Sequence, residues 1–370
     1  MIRYDCDVVV VGAGPGGSMA AKHAALGGLD VIMIEKKAEI GAPLRCAEAV
    51  SKEWLDKAGI APDPKWICAE VAGMIMISPS GHRFVMDQSE GSSGIGYVLE
   101  RHLFDKALAA QAADAGAAIK MRTACRGIIK ENGRTAGIKA NEQGEPAEIY
   151  AKCVVAADGF ESQTARWAGL DMNLTEDEIG TCLQYRMANV DVDRNFCVFK
   201  IGSAAPGGYV WEFPKGGRTA NIGIGMQASR CAHGADPRSY LDKYIASDPR
   251  LRDGCILEMT AGGVSTCPGA PVTVADNLIA VGDAARVIDP ATGGGIAHAC
   301  VTGMYAGKVL TECAKDGVYS KAALMRYEKM WRDDIGERLY RNWLVKENLY
   351  SLADDAMDEL VISMGMLGSV

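Results

Sequence analysis

The chain has 370 residues, 48% of them hydrophobic and 23% charged, with a formal net charge of −8. This balance is that of a globular protein and excludes a largely disordered or collagen-like chain. No run approaches 18 consecutive apolar residues, which excludes a polytopic membrane protein, and an acidic chain without basic runs disfavours a nucleic-acid partner.

In chain order, Asp5–Val11 is a β-branched apolar run, Gly12–Gly17 a glycine turn, Ser18–Leu26 an Ala-rich helical stretch and Asp30–Glu35 a second apolar strand. Strand, turn, helix and strand make a βαβ unit with a parallel pair. A Gly/Pro loop over 36–46 leads to a helix over Ser51–Ala58. Short alternating strands are expected between Val71 and Val98, broken at Pro79-Ser80-Gly81 and in the Gly/Ser stretch 91–96. Glu100–Ala115 is helical. Strands follow near 119–122, 124–131, 135–140 and 147–150, with a hairpin at Asn132-Gly133. Cys153–Ala157 is a further buried strand, 178–226 a β-meander, Pro237–Ile245 a helix and Leu278–Val281 a short strand. Ile296–Ala314 and Ser320–Tyr350 close the chain as helices. The expectation is α/β at both ends and mainly β between, with a nucleotide-binding sheet built from discontinuous segments.

Twelve cysteines stand singly without a CxxC pair, so they read mostly as small buried hydrophobes in a reducing compartment, and no metal site is expected. With an apolar strand from residue 5, no signal peptide is expected.

Gly12-Ala13-Gly14-Pro15-Gly16-Gly17 satisfies G-x-G-x-x-G, a weak pattern by itself in a chain with 43 glycines. Context makes it specific: it follows a buried strand, opens a helix and precedes a strand ending in Glu35. Gly12 permits the tight turn, Gly14 lets a pyrophosphate approach the backbone, and Gly16 and Gly17 complete the turn and the close helix–strand packing. Glu35 is placed for ribose hydroxyls and would repel a 2′-phosphate, which argues against NADP here. Two more strand ends add carboxylates, Asp158 before Gly159 and Asp283 after Gly282. Gly293, Gly294 and Gly295 then precede a helix, expected to offer backbone N–H groups and a positive dipole end.

These residues resemble the FAD-dependent oxidoreductases of the p-hydroxybenzoate hydroxylase fold. Within them they resemble the geranylgeranyl reductase family, nearest in pattern to the archaeal digeranylgeranylglycerophospholipid reductases. The resemblance rests on the glycine turn, Glu35-Lys36-Lys37, Arg45-Cys46-Ala47-Glu48-Ala49-Val50-Ser51, Leu99–Asp105, the two Asp/Gly corners and Tyr209-Val210-Trp211-Glu212-Phe213-Pro214. Ala49 departs from the glycine usual in the family.

The resemblance implies an α/β fold: an FAD-binding Rossmann-like domain (1–70, 99–177 and 265–318), an inserted antiparallel β-sheet substrate domain (71–98 and 178–264) and a C-terminal helical region (319–370). It implies Glu35 at the ribose, Arg101 at the pyrophosphate and Arg45 in the cofactor set. Cys46, Ala47, Ala49 and Ala124 line the flavin, Asp283 its ribityl or phosphate portion, and Gly295 and Ile296 the isoalloxazine edge.

The implied reaction is saturation of C=C bonds in geranylgeranyl chains of archaeal-type ether lipid precursors, with hydride from reduced flavin N5 and a proton. Tyr209, Trp211 and Phe213 alternate along one strand face, either walling an isoprenoid tunnel or forming a core face. No catalytic residue is assigned; Cys46 and Cys300 are candidates, either as a redox-sensitive pair or as independent buried thiols. No second dinucleotide motif is present, so ferredoxin, a reduced deazaflavin and NAD(P)H all stand as electron donors. A lipid substrate implies peripheral contact at the inner face of the membrane by an otherwise cytoplasmic protein. The alternatives are a flavin monooxygenase or halogenase on the same fold, or a non-catalytic flavin-bearing isoprenoid carrier.

Overall fold

The computed structural model describes residues 2–87 and 96–367. In chain order the first third contains β1 (Ile2–Val11), α1 (Pro15–Leu26), β2 (Val31–Glu35), β3 (Ala49–Ser51), α2 (Lys52–Lys57), β4 (Ile67–Val71), β5 (Gly73–Ile77), β6 (Arg83–Met86), β7 (Gly96–Leu99) and α3 (Arg101–Asp114). The middle holds β8 (Ala118–Met121), β9 (Thr123–Glu131), β10 (Arg134–Glu142), β11 (Glu145–Ala156), α4 (Gln163–Ala168), β12 (Ile179–Ala188), β13 (Phe196–Ile201), β14 (Tyr209–Pro214) and β15 (Thr219–Gln227). Then come α5 (Ala228–Ala232), α6 (Pro237–Ser247), β16 (Cys255–Ser265), β17 (Val274–Ala275), β18 (Leu278–Ala280), α7 (Ile296–Asp316), α8 (Lys321–Trp331), α9 (Glu337–Leu349) and α10 (Asp354–Leu367).

Two compact units result, one of residues 1–43, 102–173 and 267–342, the other of 44–101, 174–266 and 343–370. The first is built on an eight-stranded sheet whose main path runs β17-β18-β11-β1-β2-β8, with β10 pairing β11 and β9 pairing β10. β18, β11, β1, β2 and β8 are parallel neighbours, so their carboxyl ends share one edge. Buried on both faces, the central strands are the near-continuous Val/Ile runs that the sequence shows. α1 and α7 cross closely because glycines lie where they meet. A Cβ on Gly303 would sit 2.1 Å from Gly16 O, and one on Gly307 2.8 Å from Ala20 O.

The second unit carries a seven-stranded sheet, β16-β12-β15-β14-β13-β5-β6, and a three-stranded one, β3-β7-β4. Along β12 and β15 alternate residues go to opposite faces. Leu183, Tyr185, Met187, Ile222, Ile224 and Met226 pack with Leu241 and Ile245 of α6. The opposite face bears Cys182, Gln184 and Arg186, registered against Gly225, Gly223 and Asn221.

The expected α/β class with a β-sheet in the middle of the chain and helices at its end is what the structure shows, but that sheet is mixed: β13 runs parallel to β5 and the other pairs are antiparallel. Several details differ. The stretches 147–150 and 153–157 are one long strand, β11, which pairs antiparallel with β10 in its first half and parallel with β1. The strand β16 lies outside the expected meander. It is a sheet edge whose residues 255–259 are all exposed, so no inside–outside alternation marks it. Ser320–Tyr350 is two helices joined by a π-helical turn, Arg332–Gly336. Of the Gly/Ser stretch 91–96, residues 91–95 lie outside the described residues.

Candidate cofactor and substrate sites

In the first unit the glycine turn sits at the carboxyl end of β1. Gly12 has φ +108°, and a Cβ there would lie 2.4 Å from Ala157 O; one on Gly17 would lie 1.9 Å from Gly12 O. Both glycines are therefore demanded by the fold itself. Gly16 serves the α1–α7 contact, with Ala299 O 3.2 Å from where its Cβ would be. Gly14 is different: extended at φ −76°, ψ −176°, it would put a Cβ into space with nothing within 4 Å. It caps α1, whose first-turn amides have no intrahelical acceptor. Open space before such donors suits a phosphate group.

Glu35 ends β2 beside this turn. Its Oε2 accepts from Ala13 N at 3.1 Å and its Oε1 from Lys37 N at 2.9 Å, which leaves lone pairs on both oxygens for hydroxyl donors. Asp158 follows β11. Its Oδ2 accepts from Thr164 N at 2.7 Å, while the buried Oδ1 has no partner. Burial pushes its carboxyl above the ordinary value. Unmatched buried acceptors at this edge are what a polyol-bearing ligand would satisfy.

At the third corner Gly282 has φ +58° and Asp283 lies next to Gly295, where a Cβ would come 3.1 Å from Asp283 Oδ1. The glycine trio does not offer all its amides. Gly293 N donates to Asp289 O at 2.8 Å and Gly294 N to Thr292 Oγ1 at 3.3 Å, because Asp289 folds this loop into a turn. The donors at this corner are therefore those of the first turn of α7, at Gly295 and Ile296. Ala124, on β9, is partly exposed. The first unit thus brings Gly14, Glu35, Asp158, Asp283 and Gly295 to the same edge of one parallel sheet. That edge is where open α/β sheets bind nucleotides, and the residues fit FAD.

Arg45, Cys46, Ala47, Ala49 and Arg101 belong to the second unit, which contains the aromatic face. Tyr209, Trp211 and Phe213 project on the side of the sheet away from α6, and Phe199 joins them from β13. Ring centroids lie 5.2 Å apart for Phe199–Tyr209, 5.3 Å for Phe199–Phe213 and 5.9 Å for Tyr209–Trp211. Ala47, Ala49, Ala69, Val71 and Val98 pack on these rings. Trp211 lies flat over β15 because its cross-strand partner is Gly223, where a Cβ would be 2.2 Å from the indole. Its Nε1 donates to Gln184 Oε1 at 2.9 Å.

Cys46 and Cys300 stand in different units, Cys300 buried in α7. Burial raises the Cys46 thiol, partly opposed by Arg101, so it is protonated at neutral pH. Among the described residues no metal-ligating cluster is present. Of the twelve cysteines five are buried, six partly buried and Cys255 exposed, so fewer are fully buried than expected.

Glu48, to which the resemblance gives no role, meets Gln184, Arg186, Lys215 and Asn221 in the second unit, and no local sequence pattern links them. Glu48 is 1% exposed, and its Oε2 accepts from Arg186 at 2.8 Å, Lys215 at 2.7 Å and Asn221 at 2.8 Å. The available signal was polar residues on strands otherwise apolar, at alternate positions 184 and 186.

Residues 178–264 match the geranylgeranyl reductase catalytic domain, and residues 5–219 match an FAD binding domain. A digeranylgeranylglycerophospholipid reductase of Thermoplasma volcanium is 46% identical over 358 residues, 96% of this chain and 90% of that one. The digeranylgeranylglycerophospholipid reductase 2 of Methanococcoides burtonii is 45% identical over 360 residues, 97% of this chain and 87% of its own. The crystal structure of a geranylgeranyl bacteriochlorophyll reductase-like protein from Thermoplasma acidophilum superposes with a TM-score of 0.95 at 44% identity, covering 98% of this chain and 92% of that one. A myxobacterial FAD-dependent chondrochloren halogenase reaches a TM-score of 0.76 at 18% identity over 91% of this chain and 81% of its own, a likeness of fold alone. The chain belongs to the family of the digeranylgeranylglycerophospholipid reductases, FAD-dependent oxidoreductases of the geranylgeranyl reductase type.

Proposed function

We propose that this protein reduces C=C bonds in the geranylgeranyl chains of an archaeal-type ether phospholipid precursor. The observation that carries the reading is the aromatic face of β14. An isolated trisubstituted alkene is a poor hydride acceptor, so its reduction needs accurate placement and exclusion of water. Tyr209, Trp211, Phe213 and Phe199 form an apolar wall suited to a prenyl chain, and their ring faces favour transient positive charge on the alkene.

FAD supplies the hydride equivalent when bound and reduced. This chain's residues would hold it: the α1 N-terminus at Gly14 would take the diphosphate, Glu35 the ribose, Asp158 and Asp283 the polyol portion, and Gly295 and Ile296 the ring edge. Gly12, Gly16, Gly17, Gly282, Gly293 and Gly294 shape the corners that make this possible. The resemblance also assigns Ala124 to the cofactor and, from the second unit, Arg45, Cys46, Ala47, Ala49 and Arg101. Cys46 Sγ holds a proton at neutral pH because burial disfavours its thiolate.

No helix among the described residues is long and apolar enough to cross a membrane. Peripheral contact at the cytoplasmic face is therefore the proposed route to the lipid, driven by apolar contact, since a net charge of −8 gives no general attraction to anionic lipid. The electron donor is a ferredoxin, a reduced deazaflavin or NAD(P)H.

Anaerobic photometry tests the reading. The dithionite-reduced enzyme is expected to regain oxidised-flavin absorbance when a digeranylgeranyl lipid is added. Reoxidation by O₂ with an aromatic substrate, and none by the lipid, would favour the monooxygenase or halogenase alternative. Lipid binding with a flavin that stays reduced would favour a carrier.

A further inference from the structure

The segment Cys46–Ala49 is held in an unusual way. Glu48 has φ +77°, a left-handed conformation uncommon for a non-glycine residue, with its carboxylate buried. Its Oε1 accepts from Arg101 N at 2.9 Å and its Oε2 from Arg186, Lys215 and Asn221. Lys215, also buried, reaches Glu100 Oε1 at 3.1 Å and donates to Leu99 O. Arg186 reaches Glu100 Oε2 at 3.1 Å. Despite burial, the Cys68 thiol, Lys215 and Arg186 keep the Glu100 carboxyl below its ordinary value. Two carboxylates and two cations balance.

The main chain is gripped as firmly as the side chain. Cys46 O accepts from Gln184 Nε2 at 3.1 Å, Ala47 O from Asn221 Nδ2 at 3.2 Å and Glu48 O from Leu99 N at 2.9 Å. Three successive carbonyls thus each have a donor, and Asn221 Nδ2 serves Ala47 O as well as Glu48 Oε2. Gln184 closes the circuit, since its other end accepts the Trp211 indole N–H. Lys215 follows directly on Pro214, the end of the aromatic strand.

A buried ion-pair network is a poor device for stability alone, because desolvation consumes most of the Coulomb gain. We infer that Glu48, Lys215 and Gln184 are positioning residues: they lock Cys46–Ala49 onto the aromatic face, so that the cofactor-lining main chain and Trp211 keep a fixed relation. The inference rests on the proposed reading that this segment lines the flavin and β14 the lipid.

Four variants of the full-length protein test it: Glu48→Gly, Glu48→Gln, Lys215→Met and Gln184→Leu. Glu48→Gly suits the left-handed backbone yet deletes the clamp, which separates the two effects. By hydrogen-exchange mass spectrometry without flavin, Glu48→Gly and Lys215→Met should speed exchange of 46–50 and 99–101 about tenfold, with β12 and β15 still protected. With flavin, Glu48→Gly should weaken FAD binding about tenfold, and Glu48→Gln, which keeps one acceptor oxygen but loses the charge that balances Lys215 and Arg186, should weaken it by a smaller factor. Gln184→Leu, which frees Cys46 O and the Trp211 indole together, should weaken FAD binding about threefold and alter lipid KM or kcat as well.

Wild-type exchange and FAD affinity in Glu48→Gly would overturn the inference, as would accelerated exchange throughout the second unit, the mark of plain destabilisation. Local loosening with unchanged FAD affinity would equally overturn the positioning role. Failure of the wild type to bind FAD would instead overturn the functional reading, and with it the purpose assigned to the clamp.

Discussion

Substituting Gly14 by alanine separates what the glycine turn does for the fold from what it does for a ligand. At φ −76° alanine is unstrained, and its methyl would meet no protein atom within 4 Å. The apoprotein should therefore be unchanged or stabilised by ~0.5 kcal/mol through a less flexible unfolded chain. The same methyl occupies the space assigned to the FAD diphosphate. At a concentration 100 times its Kd, FAD should stabilise the wild type by about 2.7 kcal/mol; a variant binding about 100-fold more weakly gains only about 0.4 kcal/mol. Gly17→Ala should behave in the opposite way. Its Cβ would lie 1.9 Å from Gly12 O, so the apoprotein itself should lose about 1–3 kcal/mol or more. Thermal melts of both apoproteins, repeated with FAD, read all four quantities. A Gly14→Ala protein that FAD stabilises as fully as the wild type would refute the placement of the diphosphate.

Gly223→Ala should expel the Trp211 indole, which lies 2.2 Å from the new methyl, break its bond to Gln184 and cost about 2 kcal/mol; steady-state kinetics should show a larger loss with lipid than with an artificial electron acceptor. Burial holds the His298 imidazole at about 4, against the opposing Asp289, while an unfolded histidine titrates near 6.5. The unfolded chain thus binds the extra proton first, so stability should fall by up to ~3 kcal/mol as pH drops from 6.5 to about 4. Denaturant melts of His298→Gln should show a flatter pH profile, with a residual slope from His23, which burial also holds near 4. Asp358, at about 2, is held down by Ser78 and Ser80. Its lowered carboxyl stabilises α10 docking above the ordinary carboxylate range, and the effect disappears as pH falls through about 2. Limited proteolysis of 350–367 should accelerate there, and in Asp358→Asn already at neutral pH.

The glycine turn and the parallel strands could be read from sequence because their causes are local. Gly12 and Gly17 are required by atoms a few residues away or on the next strand, and fully buried strands are uniformly apolar. The aromatic alternation of β14 was legible for the same reason, and Gly223 and Gly225 are its spatial counterpart on β15. β16 was not legible, since an edge strand open on both faces carries no alternation. Nor was the Glu48 network. Lys215 is 167 residues from Glu48 and Arg186 is 138, and a charge in a sequence names no partner until the sheet order brings it one. The loop before α7 shows a third limit: Gly293 and Gly294 read as open donors, but Asp289 O and Thr292 Oγ1 accept from their amides.

Mass spectrometry of a digeranylgeranyl ether phospholipid, incubated anaerobically with the chemically reduced protein, reads the proposed reaction itself. Products heavier by pairs of hydrogens should appear in step with flavin reoxidation, and fewer with Gly14→Ala at limiting FAD. Lipid of unchanged mass beside a fully reduced, bound flavin would refute the proposed reduction.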